Sequence, residues 1–491
     1  MMIPRRIVAV ALAAVVLAPQ PVQAAQPVRA ATGWSLPPLT VQDAQIKDVR
    51  GRTVILRGVN VNQLNDYAQN DQPLPTTAPL GETDFAEIAG LGFNVVRLNL
   101  AWSALEPTPG AFSQAYVARI RAAVADAKKY GIYTVLDMHQ DAWGKAVGTP
   151  AGTSCPPLTN PGIGWDGAPA WATRTDGWST CNAAGVREVS PAVARAFQNF
   201  YDDRDGIQGH LVRTWARLAA EFKNEPAVAG YDLLNEPNPG LRTPGSAAEQ
   251  LGRFYQRTID AIRATGSQHL VIFEPSVLWS AFGIDAVPPG KYLTDPLAVF
   301  SPHLYSESIN LFGSVPSIGT AFAIARLAAA SYGVPLWSGE WGWFGDPAEQ
   351  TPKVDRFLDN ADNALMGGAW WSWKQACGDP HPVRDGSTHR PQGNLSQIDC
   401  PSGTPLGLSA FRTPLSRPYP RAAPGLKKIT SRPYGFTGDR RSGDCTLEAW
   451  FPGTAKPSTT TRGLTDLTYT QAPGGWQLTA CATGPYELRT S

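Results

Sequence analysis

Val228-Ala229-Gly230-Tyr231-Asp232-Leu233-Leu234, followed at once by Asn235-Glu236-Pro237, is the stretch on which the fold turns. The run is apolar and too short for a helix, so it reads as a buried strand whose carboxyl end carries a polar trio. A second segment repeats the arrangement: Pro335-Leu336-Trp337-Ser338 leads into Gly339-Glu340-Trp341-Gly342. Working outward, similar short runs occur at Val54–Val59, Asn94–Leu98, Tyr133–Met138, Leu270–Phe273, Ala298–Phe300 and Ala369–Ser372, which with the two above makes eight. Apolar residues at helical spacing lie between them, at Val117-Ile120-Ala123-Val124-Ala127, Leu211-Trp215-Leu218-Ala219-Phe222 and Leu251-Phe254-Thr258-Ile262. Strand and helix alternating eight times predict an α/β fold, a (β/α)8 TIM barrel. An open doubly wound sheet would also alternate, but no G-x-G-x-x-G follows the first strand and no P-loop occurs.

The step from the third strand to the fourth is far longer than the rest and contains Cys155 and Cys181. An insertion leaving the carboxyl end of a barrel strand sits on the catalytic face. After Pro418-Tyr419-Pro420-Arg421 the pattern becomes alternating, at Thr446–Phe451, Leu467–Tyr469 and Gly475–Ala480, with Gly, Pro and Thr between. The expected organisation is therefore a barrel over 36–420 and a small β-sandwich over 421–491. Ahead of both, a basic head at Arg5-Arg6, an apolar run from Ile7 to Ala18 and Val22-Gln23-Ala24 read as a secretory signal peptide over 1–24. Residues 25–35 read as a disordered lead-in. All six cysteines follow the leader, an even count that suits disulfides in an exported chain. Six cysteines allow 15 pairings; short local loops favour Cys155–Cys181, Cys377–Cys400 and Cys445–Cys481.

With 42 basic and 41 acidic side chains, nothing predicts nucleic acid as a partner. The 16 tryptophans instead suit neutral ligands held by aromatic faces. Two glutamates at the carboxyl ends of different strands, Glu236 and Glu340, supply the pair that retaining glycoside hydrolysis uses, one nucleophile and one acid/base. Asn224-Glu225-Pro226 repeats the same tripeptide but precedes its strand, which puts Glu225 more than ~25 Å away on the opposite face. Glu274, ending the fifth strand, is a further candidate for substrate binding. Competing chemistries lack parts: there is no G-x-S-x-G and no H-E-x-x-H. No cofactor is implied, and a monomer is expected.

Asn235-Glu236-Pro237 and Glu340 resemble the acid/base and nucleophile motifs of glycoside hydrolase family 5. The resemblance implies that Arg97 lies beside the nucleophile, that Tyr305 of His303-Leu304-Tyr305 donates to it, and that Asn235 meets the sugar 2-hydroxyl. It also implies that Trp373 stacks under the sugar at the cleavage point. By this reading Glu340 attacks the anomeric carbon and Glu236 protonates the leaving oxygen, so the pKa of Glu236 is expected to sit high.

Leu136-Asp137-Met138-His139-Gln140-Asp141, Gly167-Ala168-Pro169-Ala170-Trp171-Ala172-Thr173 and Arg417-Pro418-Tyr419-Pro420-Arg421-Ala422 further resemble actinobacterial endoglycoceramidases. These enzymes release an intact oligosaccharide from ceramide and pair a barrel with a C-terminal sandwich; the resemblance implies that His139 and Asp141 contact the first sugar. Two departures fall near that sugar. Trp341 stands where the group often has Phe, and Asn60–Tyr67 carries no lysine; both favour galactose rather than glucose as the sugar on the lipid. Leu278-Trp279-Ser280-Ala281-Phe282, Leu311-Phe312 and Trp341-Gly342-Trp343-Phe344 are expected to line an apolar groove for the lipid chains. The implied partners are a glycosphingolipid or other β-glycoside and, transiently, a membrane or micelle surface. A family 5 glucanase, mannanase or β-glucosidase acting on soluble glycans is the alternative, and a non-catalytic sugar- or membrane-binding protein a third.

Overall fold

The computed structural model describes residues 34–183, 186–282, 285–309, 316–381 and 393–490. The leader over 1–24 and most of the lead-in lie outside them. Trp34, counted with the lead-in, is instead packed, with the Arg421 guanidinium 4.3 Å over its ring.

Eight parallel strands form the barrel: Arg57–Val61, Val95–Ala101, Tyr133–His139, Val228–Asp232, Leu270–Phe273, Ala298–Phe300, Ser338–Trp341 and Gly368–Trp370. Numbered along the chain, they run side by side as 6-5-4-3-2-1-8-7. A parallel bridge from Phe300 to Leu336 joins strands six and seven and closes the ring. Nearly every strand residue is buried, as in a sheet covered on one face by helices and filled on the other by its own side chains. Helices Gln114–Lys129, Ile207–Phe222 and Pro244–Arg263 fall where the spacing predicted them. Ser113 and Ser317 cap their helices by accepting from the amides of Tyr116 and Thr320.

The expected first strand, Val54–Val59, divides between two sheets. Arg52–Val54 pairs antiparallel with Tyr419–Pro424, and only from Arg57 does the chain enter the barrel. Leu39–Gln42 and Gln45–Asp48 join the same outer sheet. The second domain therefore takes three strands from the amino-terminal side as well as those after Tyr419, and a boundary at 420 does not describe it. Its organiser is the hairpin of Thr459–Ala472 and Gly475–Thr490. The first half of Gly475–Thr490 pairs with Thr446–Pro452 and the second half with Tyr434–Asp439. Register shifts along the hairpin let one long strand serve both halves of the sandwich.

The sandwich seals the bottom of the barrel. Leu39, Ile46, Val54 and Ala422 pack against Val95, Tyr133, Leu270 and Val299 at the starts of barrel strands. Arg421 donates to the carbonyls of Gly92, Phe93 and Gly131, in turns that enter strands two and three. This places the small domain on the face away from the carboxyl ends of the strands. All three disulfides pair as expected.

Candidate active site

Arg97, wholly buried in strand two, organises the floor of the cleft. Its Nε donates to Asp232 (2.8 Å), Nη1 to Glu340 (2.8 Å) and Asn60 (3.1 Å), and Nη2 to Asp137 (2.9 Å), Glu274 (2.9 Å) and Asn235 (3.0 Å). Burial alone would weaken its hold on a proton, but the four carboxylates raise it well above its ordinary value. Burial pushes Asp232 well up, with Glu274 and Asp137 adding to the effect against the pull of Arg97.

Glu340 sits above this floor. One oxygen takes Arg97 and the other takes the Tyr305 hydroxyl at 2.9 Å. Burial, then the charges of Glu340 and Glu236, raise Tyr305 well above its usual range, so the phenol stays a donor. Gly339 before it is required by contact: a Cβ there would come within 2.8 Å of Ser301 Oγ and 3.1 Å of His303 Nε2.

Glu236 stands opposite, with its backbone at φ 39°, in the left-handed region and directly before Pro237. Its amide donates to Glu274 (2.9 Å), and Gln140 Nε2 donates to the carbonyls of Asn235 and Glu236. These bonds hold a conformation that costs energy, as is common where a side chain must be aimed. Oε1 meets His303 Nδ1 at 2.8 Å, and Oε2 faces Arg187 Nη2 at 3.6 Å. One oxygen of Glu236 and one of Glu340 lie within 4.8 Å of each other.

Glu236 was expected to sit high because Glu340 is negative. Burial does push it up, but the bond and charge of His303, then Arg187, outweigh that, and the group lies below its ordinary value. His303 moves the other way. Burial opposes its charge, yet Glu274 and Glu340 raise it well above the usual range. The proton of this pair rests on the imidazole.

The cleft has a volume of about 490 Å³, lined by both glutamates, His139, Asp141, Asn235 and Tyr305, and also by Trp165, Arg187, Phe344, Trp371 and His381. His139 Nδ1 bonds Asp137 (2.7 Å), and its ring stacks on Trp371 at 5.5 Å and 12°. Asp141 is bound by Arg187 (2.6 Å) and His381 (2.5 Å). Burial opposes its ionisation, but these two cations hold it well below the usual carboxylate range. Three groups are close enough to share a cation: His139-Asp141-His381, Glu236-His303-Glu340 and Asp137-Asp232-Glu274. Each already has an internal one, in Arg187, His303 and Arg97 respectively.

Residues 48–377, more than half of the chain, match the family described as cellulase, glycosyl hydrolase family 5. The chain belongs to glycoside hydrolase family 5. Among solved structures, this family 5 chain is similar to an endogalactoceramidase at 64% identity and a TM-score of 0.90, covering 93% of this chain and 100% of that one. Endo-glycoceramidase II from Rhodococcus sp., solved with ganglioside GM3, is 25% identical with a TM-score of 0.70 over 91% of this chain and 99% of that one. Endoglycoceramidase I of Rhodococcus hoagii is 29% identical over 68% of this chain and 67% of that protein. Endoglycoceramidase of Cyanea nozakii is 31% identical over 53% of this chain, and the match spans little more than half of that relative, 55%.

Several residues expected at the cleft lie elsewhere. Trp373 is wholly buried and donates from Nε1 to Asp84 (2.8 Å), so the tryptophan that the strand-eight end gives to the cleft is Trp371. Strand eight ends at Trp370, and the next side chain turns to the cleft. Glu274 is a buried strut for Arg97, His303 and the Glu236 amide, not a wall of the cleft. The expected apolar groove is mostly core. Trp341 stacks on Phe357 at 4.1 Å, Trp343 and Trp279 are buried, and of the named aromatics Phe344 alone lines the cleft among the described residues. Trp341 therefore does not reach the sugar slot, and its departure from Phe alters packing only. Leu311 and Phe312 lie outside the described residues, as do the side chains of Ala281 and Phe282. Arg187, Trp165 and His381 were not anticipated. They stand on loops after strands three and eight, where no strand-end spacing marks a residue.

Proposed function

We propose that this family 5 chain is a retaining endo-β-glycosidase that cleaves the bond between a β-linked sugar and ceramide, with galactose as the sugar on the lipid. The observation that carries the mechanism is the separation of the two glutamates, with an oxygen of each within 4.8 Å of the other. Retaining enzymes hold their carboxyl groups roughly 5–5.5 Å apart, whereas inverting enzymes leave about 6.5–9.5 Å for a water. Glu340, held by Arg97 and Tyr305, attacks the anomeric carbon. Glu236 takes the proton of His303 across their 2.8 Å contact and passes it to the ceramide oxygen; left as a carboxylate, it then takes one from the water that releases the sugar and returns it to His303.

The substrate reading is supported by the 64% identity to an endogalactoceramidase, which extends over that whole chain. The cleft combines polar sugar ligands at His139, Asp141 and Asn235 with apolar Phe344 and Ile309 on its wall. Export, with cleavage after Ala24, is part of the proposal, and three disulfides suit an oxidising compartment; the mass of the protein recovered from culture medium tests it.

The deciding experiment is mass spectrometry of products from galactosyl-, glucosyl- and lactosylceramide in detergent micelles, with Glu340→Gln as control. Free ceramide appearing fastest from the galactosyl lipid is expected. Cleavage of soluble β-glucans or mannans with no ceramide from any lipid overturns the substrate reading, and turnover by Glu340→Gln near wild type overturns the nucleophile.

A further inference from the structure

The long connection between strands three and four is a built structure. Thr159–Pro161 pairs antiparallel with Cys181–Ala183, and Cys155–Cys181 staples the base. A few residues past that staple the chain delivers Arg187 into the cleft. Its guanidinium lies 4.3 Å over the Trp165 ring, 2.6 Å from Asp141 Oδ1 and 3.6 Å from Glu236 Oε2. Oε2 is the oxygen that His303 leaves free, and any leaving oxygen protonated from it must come close to Arg187.

We propose that Arg187 is a positioning residue for proton transfer, holding the free oxygen of Glu236 and so deciding over which pH range that carboxyl serves as donor. The inference rests on the assignment of Glu236 as the acid/base.

Glu236 is faced by charges from every side of the barrel mouth. Asp141, Arg187 and Glu188 come from the insertion, Glu274 follows strand five, His303 and Tyr305 follow strand six, and Glu340 lies in strand seven. His381, after strand eight, acts on it through Asp141. His303 is fixed in the floor by Glu274, and the nucleophile needs its own charge. Arg187 is the partner that belongs to the substrate side, and its side chain is 21% exposed. Its charge favours the carboxylate form of Glu236, while Asp141 opposes that. Removing Arg187 takes away an attraction and uncovers a repulsion, so both changes favour the protonated acid.

The test is the pH dependence of kcat/KM for wild type, Arg187→Gln, Arg187→Lys and Asp141→Asn, on whichever of galactosylceramide, glucosylceramide or cellotriose wild type cleaves. Loss of the donor on the alkaline side defines the basic limb. In Arg187→Gln that limb moves up by roughly one unit, as expected for loss of an opposite charge within about 4–6 Å. Arg187→Lys restores it, and Asp141→Asn moves it down. First-step cleavage of a 2,4-dinitrophenyl glycoside needs no donor, so its pH profile shows no matching shift of the basic limb in any variant, and trapping of Glu340 by a 2-fluoro sugar at full stoichiometry shows that each variant is folded. A basic limb that stays put in Arg187→Gln, or moves in the same direction in Asp141→Asn, overturns the inference. Failure of wild type to release ceramide overturns the substrate reading and leaves this readout intact on the soluble glycan.

Discussion

The two tryptophans at 371 and 373 lie on opposite sides of the strand-eight end, and they do different work. Trp371 stacks on His139 and lines the cleft, whereas Trp373 is sealed in the barrel and bonded to Asp84. Trp371→Ala should therefore raise KM roughly tenfold, the loss of about 1.5 kcal/mol of ring contact, with little change in melting temperature. Trp373→Phe should do the reverse, lowering stability by about 1–3 kcal/mol through the lost hydrogen bond to the Asp84 carboxylate, which keeps Lys374 and the Gly81 amide, while KM holds. Steady-state kinetics and thermal melts on the pair check both. Asp166 gives a prediction of opposite sign. It is fully buried, neither oxygen has a hydrogen-bond partner among the described residues, and burial, relieved in part by His139 but reinforced by Asp141, pushes it up to about 7. Its folded pKa exceeds its unfolded one, so the stability it contributes is complete below the ordinary carboxylate range and is lost as pH rises towards 7. Asp166→Asn mimics the protonated form. It should melt a few degrees above wild type at pH 8 and show no such gain at pH 4.

At the scale of elements, the sequence was legible where geometry is periodic. Leu270–Phe273 and Ala298–Phe300 are strands with the predicted bounds, and the three named helical patterns are helices. Glu236, Glu340 and Arg97 were legible because parallel strands put their carboxyl ends on one rim. What periodicity could not show was the change of partner within one run, where Arg52–Val54 leaves the barrel pattern for an outer sheet through pairing with residues more than 360 positions away. Nor could it show which residue after a strand end faces the cleft, where Trp371 stands and Trp373 does not. Arg187 escaped for a third reason: an insertion's tip is placed by its own hairpin and disulfide, not by a repeat. That dependence is testable. Replacing Cys155 and Cys181 together by serine should cost about 3 kcal/mol through the unfolded chain. If the staple also aims Arg187, the double variant should shift the basic limb of kcat/KM upward, in the direction of Arg187→Gln. Loss of stability with an unshifted limb would show that the hairpin alone positions the arginine.

For the whole molecule, the position of the small domain settles what kind of part it is. The cleft opens at the carboxyl ends of the strands, and the sandwich covers the other end, where Tyr419 and Arg421 donate to the Gly92 carbonyl. The fit is close: Gly92 has φ +85°, and a Cβ there would meet Trp450 Nε1 at 2.1 Å, while a Cβ on Gly131, at φ +70°, would meet the Cβ of Trp34 at 2.6 Å. Both turns need glycine twice over, for the left-handed backbone and for the ring against it. Strands from before and after the barrel complete the outer sheet, and its side chains pack directly on the starts of the barrel strands. The two should therefore melt as one cooperative unit. Gly92→Ala, far from the cleft, should cost at least about 1–2 kcal/mol from the backbone alone. It should lower a single calorimetric transition as a whole, with kcat and KM of the surviving enzyme unchanged at low temperature. Splitting into two transitions, with only the sandwich destabilised, would mean that the barrel stands without its floor and that the interface is an attachment rather than part of the core.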